Sequence, residues 1–315
     1  MNPLTSIYGA VSRTRNEFYD RGVLSVRRLQ GPVVSIGNLA AGGSGKTPFV
    51  IALGEMLRRR GVSFDVLSRG YGRKTRGVAL VNPDGASSEF GDEPLLIARK
   101  LGASVVIGED RYAAGRFAEE NFGPRLHLLD DGFQHRALAR DFDIVMVNAS
   151  DLQDRIFPMG RLREPLAALA RADAIVLTND MSAEKLPLVH QAVWRVRRDI
   201  VAPPVDEPCV AFCGIARPGN FFAQLRATSM NLAATRSFGD HHSYTRSDIR
   251  TLLALRAKAG ATCFVTTEKD AINLDAHLDK LAPVYAVPVY MQIEDANTVA
   301  RTLWSAIAAR NFASA

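Results

Sequence analysis

A glycine-rich segment near the amino terminus, Gly37 to Pro48, constrains this 315-residue chain more than any other feature. The apolar run 32–36 precedes it and a run with helical periodicity follows it, which predicts a strand, a loop and a helix. In such a loop, backbone N–H groups and the helix amino terminus form a cradle for phosphate groups. Lys46 is placed to reach the β- and γ-phosphates of a nucleoside triphosphate, and the Thr47 hydroxyl is placed to bind Mg²⁺. The predicted nucleotide-binding residues are Gly42, Gly43, Ser44, Gly45, Lys46 and Thr47.

One position departs from the usual pattern of a phosphate-binding loop, which has a glycine five residues before Gly45. Ala40 occupies that position in this chain. The remaining glycines still allow the backbone to approach a phosphate closely. We therefore favour a phosphate-binding loop (P-loop) over a glycine-rich turn without a ligand.

Predicted strands and helices alternate through the first two thirds of the chain, which indicates an α/β fold of the P-loop NTPase type. Its sheet is expected to be mostly parallel with helices on both faces. A helix is predicted at 184–195, and a proline-rich linker follows at 199–208. A second, smaller α/β domain then includes a strand at 284–289 and a last helix at 296–309 that can pack back on the first domain. The predicted division is an N-terminal helix 1–28, a P-loop domain 29–205 and the smaller domain 206–315.

The formal net charge is +6, and the basic residues concentrate in two segments. Residues 1–28 carry five arginines against two acidic residues, and residues 69–76 carry four basic residues and no acidic one. Basic surface indicates an anionic partner, such as nucleic acid, anionic lipid or a phosphorylated substrate. The three cysteines form no zinc-binding pattern, which suits a reducing cytoplasm. The sequence shows neither a secretion signal nor an apolar run long enough to span a membrane.

Apolar residues at the start of the chain recur at helical spacing, with arginines between and beyond them. Leu4, Ile7, Tyr8 and Val11 form the first part of this pattern. It is typical of a helix that lies in a membrane interface, with its arginines near lipid phosphates. It fits equally well a helix that docks on the body of the protein, and the pattern alone leaves both alternatives open.

An acidic pair, Asp130 and Asp131, follows the apolar run 126–129 and precedes Gly132. A carboxylate at the end of a strand, well after a P-loop, is how such folds bring an acid to Mg²⁺. The alternative is a simple turn made by Asp-Asp-Gly. We predict that Thr47, Asp130 and Asp131 are the metal-binding residues.

Three further polar residues lie at predicted loops. Asp92 precedes a predicted helix that begins near Pro94, so it fits a helix cap as well as a catalytic acid or base, and the pattern alone favours the cap. His241 and His242 lie in a loop of the smaller domain. Because no third ligand follows at suitable spacing, we favour proton transfer or substrate contact over metal binding.

Seven motifs occur in one order along the chain: Gly37–Asn38 with Gly42–Pro48, Ser68–Gly72, Gly91–Pro94, Asp130–His135, Gly160–Glu164, Asp240–His242 and Thr267–Asp270. In these motifs the sequence resembles tetraacyldisaccharide 4′-kinase, the lipid A 4′-kinase of Gram-negative bacteria. The resemblance runs from about residue 5 to residue 300. Seven ordered motifs are far more specific than a P-loop by itself.

The resemblance implies a kinase of lipid A biosynthesis that uses ATP and Mg²⁺. Its substrate would be a tetraacylated glucosamine disaccharide 1-phosphate, phosphorylated on the 4′-hydroxyl. Asp92 and His241 match the positions that act as a carboxylate–histidine pair at the attacking hydroxyl, with Lys46 as the third catalytic residue; His241 matches better than His242 because it directly follows Asp240. Weaker candidates for phosphate and substrate contacts are Arg111, Arg163, Glu164 and His242.

The resemblance also implies a place and partners. We expect a peripheral or monotopic protein at the cytoplasmic face of the bacterial inner membrane, held by the first helix against an anionic surface. No nucleic-acid partner and no obligate protein partner are expected. Two other classes fit the P-loop: a nucleotide-switch ATPase, which usually carries a lysine where Ala41 stands, and a soluble kinase of a small sugar or cofactor.

Overall fold

The computed structural model of this chain describes residues 3–178, 181–187 and 190–313, in which the strands form two sheets. The strands are β1 Val33–Asn38, β2 Phe64–Ser68, β3 Ala79–Leu80, β4 Val105–Ile107, β5 Leu126–Asp130, β6 Phe142–Val147, β7 Ala174–Thr178, β8 Ala192–Ile200, β9 Cys209–Cys213, β10 Leu232–Ser237, β11 Cys263–Thr267, β12 Val284–Val287 and β13 Val289–Ile293. The larger sheet has the order β13-β8-β7-β6-β1-β5-β2-β4-β3, and the smaller has the order β10-β9-β11-β12.

The larger sheet is parallel from β8 to β4, and antiparallel strands pair with it at both edges. Its central strand β1 pairs with β5 and β6, and all three are buried along their whole length. Strands buried on both faces are typical of a parallel sheet covered by helices. This arrangement confirms the predicted fold class, and it brings the carboxyl ends of β1, β2 and β5 to one edge.

Helices cover both faces of the larger sheet. The helices are α1 Pro3–Asp20, α2 Lys46–Arg59, α3 Ser87–Phe90, α4 Asp92–Leu101, α5 Arg111–Phe122, α6 Pro218–Ala227, α7 Arg246–Lys258, α8 Glu268–Leu274 and α9 Ala296–Ala313. Short 3₁₀ segments lie at Ala149–Gln153, Leu166–Arg171, Ala183–Lys185 and Asp275–Leu281. On one face α2, α4 and α9 bury Leu53, Ile97 and Leu303 against the larger sheet, whereas α5 buries Ala114 and Ala118 on the other.

The segment predicted as a helix at 184–195 folds differently. It contains the short turn Ala183–Lys185 and the first residues of β8, and residues 188–189 lie outside the described part of the chain. Within β8, Val193 is exposed, Trp194 and Val196 are buried and Arg197 is exposed. This alternation has the two-residue period of a strand, so the helix prediction is wrong here.

The strand predicted at 284–289 is two strands in two sheets. β12 ends at Val287 in the smaller sheet, and β13 begins at Val289 and pairs antiparallel with β8 in the larger one. Pro288 lies between them, where its missing N–H interrupts a ladder of hydrogen bonds. The last helix, α9, packs on the larger sheet through Leu303 and Ile307. The division into domains between residues 205 and 206 stays a prediction. Residues 289–313 return to the larger sheet.

Candidate active site

A cavity of about 650 Å³ opens where the carboxyl ends of strands from both sheets meet. Its walls come from three parts of the chain: the loops of the larger sheet, the loops of the smaller sheet and the helix α1. Residues that line it include Tyr8, Asn16, Gly42, Lys46, Asp130, Asp131, Arg163, Arg198, Arg217, His241 and Lys269. Elements far apart in sequence therefore build one chamber large enough for a ligand of drug size.

The P-loop, residues 39–47, forms one wall of this cavity. Gly45 has φ +86° at the amino terminus of α2, a left-handed conformation that glycine adopts without strain. The smaller sheet's loop packs on the same segment, since a Cβ built on Gly42 would lie 3.0 Å from the Cβ of Ala216. Ala40, which stands where the usual pattern has a glycine, is fully buried and forms an isolated β-bridge with Leu162. The alanine is therefore packed within the protein.

The ammonium group of Lys46 contacts two polar side chains beside the P-loop. Its Nζ donates to Asn38 Oδ1 at 2.9 Å and lies 3.3 Å from Asp131 Oδ1. Arg163 also pairs with Asp131, with 3.0 Å between Nη1 and Oδ2. Burial acts to raise the pKa of Asp131, but the charges of Lys46 and Arg163 outweigh burial and lower it to about 2. Two cations thus converge where the terminal phosphate of a P-loop nucleotide is expected.

Asp130 has a different environment from its neighbour. Ser68 Oγ donates to Asp130 Oδ2 at 3.0 Å, whereas the buried Oδ1 has no hydrogen-bond partner among the described residues. Burial, together with the charges of Glu93 and Asp131, raises the pKa of Asp130 to about 7. An unpaired buried carboxylate oxygen beside a P-loop is a fitting ligand for Mg²⁺.

The described side chains do not form a closed metal-binding cage. Within the described ranges no group of three or more His, Cys, Asp or Glu side chains is arranged to hold an ion. Mg²⁺ at nucleotide sites is usually bound by one or two side chains together with water and substrate phosphates. Thr47, buried at the start of α2, and Asp130 fit this pattern, while Asp131 is engaged by Lys46 and Arg163.

His241 and Asp92 meet across the two sheets. The Nδ1 atom of His241 lies 3.0 and 2.9 Å from the two carboxylate oxygens of Asp92. His241 lines the cavity, whereas Asp92 lies behind it and is only 4% exposed. Asn273 donates to Asp92 Oδ2 at 3.1 Å, and the backbone N–H of Glu93 donates to Oδ1 at 2.9 Å.

The pKa values of the two residues shift in opposite directions, as expected for an acid and a base that stabilise each other's charged forms. Burial acts to raise the pKa of Asp92, but the hydrogen bond from His241 and the charge of Lys269 lower it to about 2. Burial acts to lower the pKa of His241, but the hydrogen bond to Asp92 outweighs burial and raises it. His241 also has φ +55°, an uncommon backbone conformation for a non-glycine residue that is often found at functional sites.

Lys269 and Glu93 are site residues to which the sequence assigned no role. Lys269 Nζ lies 3.0 Å from Glu93 Oε1 and 3.8 Å from Asp92 Oδ2, and it joins α8 to α4. Burial acts to lower the pKa of Lys269, but the charges of Glu93 and Asp92 raise it. The sequence signal was present, because Lys269 lies two residues after the end of β11 and Glu93 directly follows Asp92.

The weaker substrate candidates lie in different places. Arg163 and the buried Glu164 line the cavity, and Glu164 accepts hydrogen bonds from Asn16 at 2.8 Å and Arg171 at 2.8 Å. Arg111 donates to the carbonyl of Gly108 at 2.9 Å, and it is not among the residues that line the cavity.

His242 lies beside His241 in the sequence but does not line the cavity. Its Nε2 lies 3.1 Å from Asp248 Oδ2, and its ring stacks on Phe238 at 4.7 Å. The structure therefore separates the two histidines that the sequence left side by side. His241 contacts Asp92, and His242 packs within the smaller domain.

The helix α1 contacts the body of the protein and also presents an apolar edge. Tyr8 packs edge-on against Phe157, and Asn16 binds Glu164. On another side of the helix, Ile7 and Val11 are 60% and 62% exposed. The two alternatives drawn from the sequence were a helix in a membrane interface and a helix docked on the protein. Both have a structural basis, since one face of α1 packs on the protein and another is exposed. No helix among the described residues is long and apolar enough to cross a membrane.

Comparison with known proteins decides the family. The family model of tetraacyldisaccharide-1-P 4′-kinase (LpxK) matches residues 1–308. The chain belongs to the LpxK family. This membership confirms the resemblance drawn from the motifs and the prediction of a kinase, and it leaves the nucleotide-switch ATPase without support.

Relatives of known name and structure agree with LpxK membership. Tetraacyldisaccharide 4′-kinase of Koribacter versatilis is 50% identical over 307 residues, which covers 94% of this chain and 95% of that protein. The enzyme of the same name from Geobacter metallireducens is 41% identical, with 91% and 92% covered. A crystal structure of LpxK from Aquifex aeolicus in complex with ATP is 32% identical with a TM-score of 0.79, covering 97% of this chain and 98% of that one.

Proposed function

We propose that this LpxK-family chain transfers the γ-phosphoryl group of ATP to the 4′-hydroxyl of a tetraacylated glucosamine disaccharide 1-phosphate. The observation that carries the proposal is the His241–Asp92 pair, which opens onto the same cavity as the P-loop. Family membership supplies the substrate class, and an ATP complex of a related LpxK supports the nucleotide. Phosphoryl transfer requires in-line positioning of the two substrates and neutralisation of phosphate charge.

The chain's own residues position and neutralise the nucleotide. Backbone N–H groups of the P-loop hold the β- and γ-phosphates, and Lys46 exchanges its contact with Asp131 for a contact with phosphate oxygens. Thr47 and the unpaired Oδ1 of Asp130 are the proposed ligands of Mg²⁺. Bound there, Mg²⁺ would neutralise negative charge on the nucleotide phosphates. Arg163, which pairs with Asp131, lies close to the same phosphate groups.

The His241–Asp92 pair accepts the proton of the attacking hydroxyl. Because His241 Nδ1 faces Asp92, the Nδ1–H tautomer leaves Nε2 free to accept a proton from the cavity side. As the 4′-oxygen bonds to the γ-phosphorus, the bond from that phosphorus to the β,γ-bridging oxygen breaks and ADP leaves. The proton passes to Nε2, and Asp92 stabilises the resulting imidazolium. Asp92 is thus the ionic partner, and His241 is the group that touches the substrate.

The proposed place of action is the cytoplasmic surface of the inner membrane, to which the chain binds peripherally through anionic lipid. A substrate with four acyl chains leaves a bilayer only at a cost of about 0.8 kcal/mol per CH₂. The exposed Ile7 and Val11 of α1, with arginines along the same helix, suit contact with the interface. Tyr8 and Asn16 line the cavity, so α1 joins the proposed membrane contact to the active site.

A transfer assay tests this function. Purified full-length protein is incubated with Mg²⁺ and γ-labelled ATP, with or without detergent-dispersed tetraacyl disaccharide 1-phosphate, and the position of the label is found by mass spectrometry. We expect lipid-dependent transfer to the 4′-position, none to the same lipid with a methylated 4′-oxygen, and strongly reduced transfer by Lys46→Ala. Transfer of the label to a small sugar but not to the lipid would contradict the proposal and favour a soluble sugar kinase.

A further inference from the structure

Arg198 is a cavity residue with no counter-charge. It lines the cavity from β8, and its buried Nε has no hydrogen-bond partner among the described residues. No ion pair of Arg198 with an acidic side chain occurs in the described part of the chain. Burial and the charge of Arg217 both lower its pKa, which means that Arg198 stays charged in an unfavourable position. A half-buried guanidinium without a carboxylate is suited to an anion supplied from outside the chain.

The strand pairing directs Arg198 to the P-loop. In the antiparallel ladder of β8 and β13, Arg198 lies opposite Met291, and opposed residues share one face of a sheet. The methyl carbon of Met291 lies 3.3 Å from the position of a Cβ built on Gly45. Arg198 therefore lies on the side of this ribbon that faces the P-loop.

Arg217 approaches the P-loop from the smaller domain. Its Cγ lies 3.1 Å from a Cβ built on Gly43, and its buried Nε also has no partner among the described residues. One terminal nitrogen of Arg217 lies 3.4 Å from Asp151 Oδ1, so Arg217 has one carboxylate partner, which Arg198 lacks among the described residues. Two guanidinium groups thus flank a loop whose own backbone is built for phosphate.

The sheet order shows which end of the nucleotide meets this pair. Lys46, Asp130 and the His241–Asp92 pair mark the transfer end, and Asp130 ends β5 on one side of β1. Strand β8 lies on the other side, beyond β6 and β7. A nucleotide with its γ-phosphate at the transfer end extends toward β8, where the apolar Ile215, Val287 and Val289 also line the cavity.

Resting on the proposed function, we propose that Arg198, assisted by Arg217, is the subsite for the α-phosphate of the nucleotide. Arg198 increases the affinity for ATP and for ADP in the ground state and makes little contribution to the transfer step. A pair of guanidinium groups would also suit the 1-phosphate of the lipid. The lipid is expected to meet the His241–Asp92 pair, and Asp92 begins α4, the helix that precedes β4 on the opposite side of β1 from β8.

Nucleotide titration of the full-length protein tests the proposal. ATP and ADP, each with Mg²⁺, are titrated calorimetrically into wild type, Arg198→Ala and Arg198→Lys without lipid. We expect Arg198→Ala to weaken both nucleotides about tenfold, the size of a lost charged hydrogen bond, and Arg198→Lys to weaken them less. Equal loss for ATP and ADP is expected because the α-phosphate is common to both. At saturating ATP, kcat should stay within about twofold of wild type.

Arg197→Ala is the matched control. Arg197 is the next residue of β8, and its exposed side chain pairs with Asp199 at 2.7 Å, so its loss should leave nucleotide affinity unchanged. Thermal unfolding without nucleotide checks the fold, and Arg198→Ala should be at least as stable as wild type because an uncompensated charge is removed. If Arg198→Ala does not fold, the comparison of Arg198→Lys with Arg197→Ala still decides the proposal.

Three results would overturn the subsite. Wild-type affinity of Arg198→Ala for both nucleotides would remove Arg198 from nucleotide binding. A raised KM for the lipid with unchanged ADP affinity would assign the arginines to the lipid phosphate. A lower affinity for ATP with an unchanged affinity for ADP would place Arg198 at the γ-phosphate. A wild-type protein that binds ATP without phosphorylating the lipid would instead contradict the proposed function, and the ADP titrations would still test Arg198.

Discussion

His241 Nδ1 lies 2.9 Å from Asp92 Oδ2, although 149 residues separate them in the chain. Asp92 begins α4 beside the larger sheet, and His241 lies in a loop of the smaller one. The pair therefore exists only while the two sheets are held together. Lys269 supports that approach, since it binds Glu93 of α4 from the first turn of α8. If the two sheets moved apart, the proposed proton acceptor would lie too far from the P-loop, so the proposal couples phosphoryl transfer to the packing of the two sheets.

The first prediction tests whether His241 and Asp92 act as a unit. His241→Ala and Asp92→Asn should each lower kcat by about 10²- to 10⁴-fold, the usual contribution of a general base. The double variant should be little slower than the slower single variant, because groups that act together are non-additive. Affinity for ATP, measured by titration, should barely change. Losses that multiply in the double variant would mean that the two residues act separately.

The second prediction concerns pH. As the base, His241 must be neutral, so kcat/KM should rise with pH through its pKa. The hydrogen bond to Asp92 raises that pKa despite burial, so the midpoint should lie above the ordinary histidine value of about 6.5. Asp92→Asn removes the partner that raises it, although the charges of Lys269 and Glu93 remain. The midpoint should then move to lower pH.

The pH prediction has a matched control in the neighbouring histidine. Asp248 pairs with His242 at 3.1 Å and does not contact His241. Asp248→Asn should therefore leave the pH profile of kcat/KM unchanged. A profile that shifts equally in Asp92→Asn and Asp248→Asn would show that His241 is not the titrating group.

The local part of this site could be predicted from the sequence. Lys46 and Thr47 follow a strand and a glycine loop, and Asp130 follows another strand, so a parallel sheet brings them to one edge whatever the rest of the chain does. The pairing of Asp92 with His241 needed the family resemblance. By pattern alone Asp92 fits a helix cap, and no local periodicity relates residues 149 positions apart.

The parts that were missed depend on contacts between distant segments. The helix predicted at 184–195 and the linker predicted at 199–208 both overlap β8, because this strand is stabilised by its pairing with β7 and β13 rather than by local sequence. Arg198 could not be assigned to a site for the same reason. Its direction toward the P-loop is set by Met291, which reaches the larger sheet only after the chain has left the smaller one.

The third prediction separates the two aspartates that follow β5. Lys46→Ala should lower the transfer rate roughly 10²-fold or more, because a preorganised charge at the phosphates is lost. Asp130→Asn should also raise the Mg²⁺ concentration needed for half-maximal rate, since Asp130 Oδ1 is a proposed ligand and has no hydrogen-bond partner among the described residues. Asp131→Asn should affect this concentration less, because Asp131 pairs with Lys46 and Arg163. Rates measured across a Mg²⁺ titration check this, and an unchanged requirement in Asp130→Asn would exclude it as a ligand.

The last prediction separates membrane contact from the active site. Deleting residues 1–25 should reduce membrane binding, but it also removes Tyr8, Ser12, Arg15 and Asn16 from the cavity wall and so should slow the enzyme even in detergent. A sharper change is Ile7→Asp with Val11→Asp, which alters two exposed apolar side chains of α1 and leaves the contact of Asn16 with Glu164 in place.

In flotation with anionic vesicles, the Ile7→Asp and Val11→Asp double variant should bind at least about tenfold more weakly, because each buried aliphatic side chain is worth about 1.5–3 kcal/mol. Its kcat on detergent-dispersed lipid should stay near that of wild type. Val201→Asp, which changes a valine that is 55% exposed just after β8, should float like wild type. High salt should release part of the wild-type protein as well, since the charge of each arginine near anionic lipid is screened. Unchanged flotation of the double variant would mean that α1 serves only as a wall of the active site.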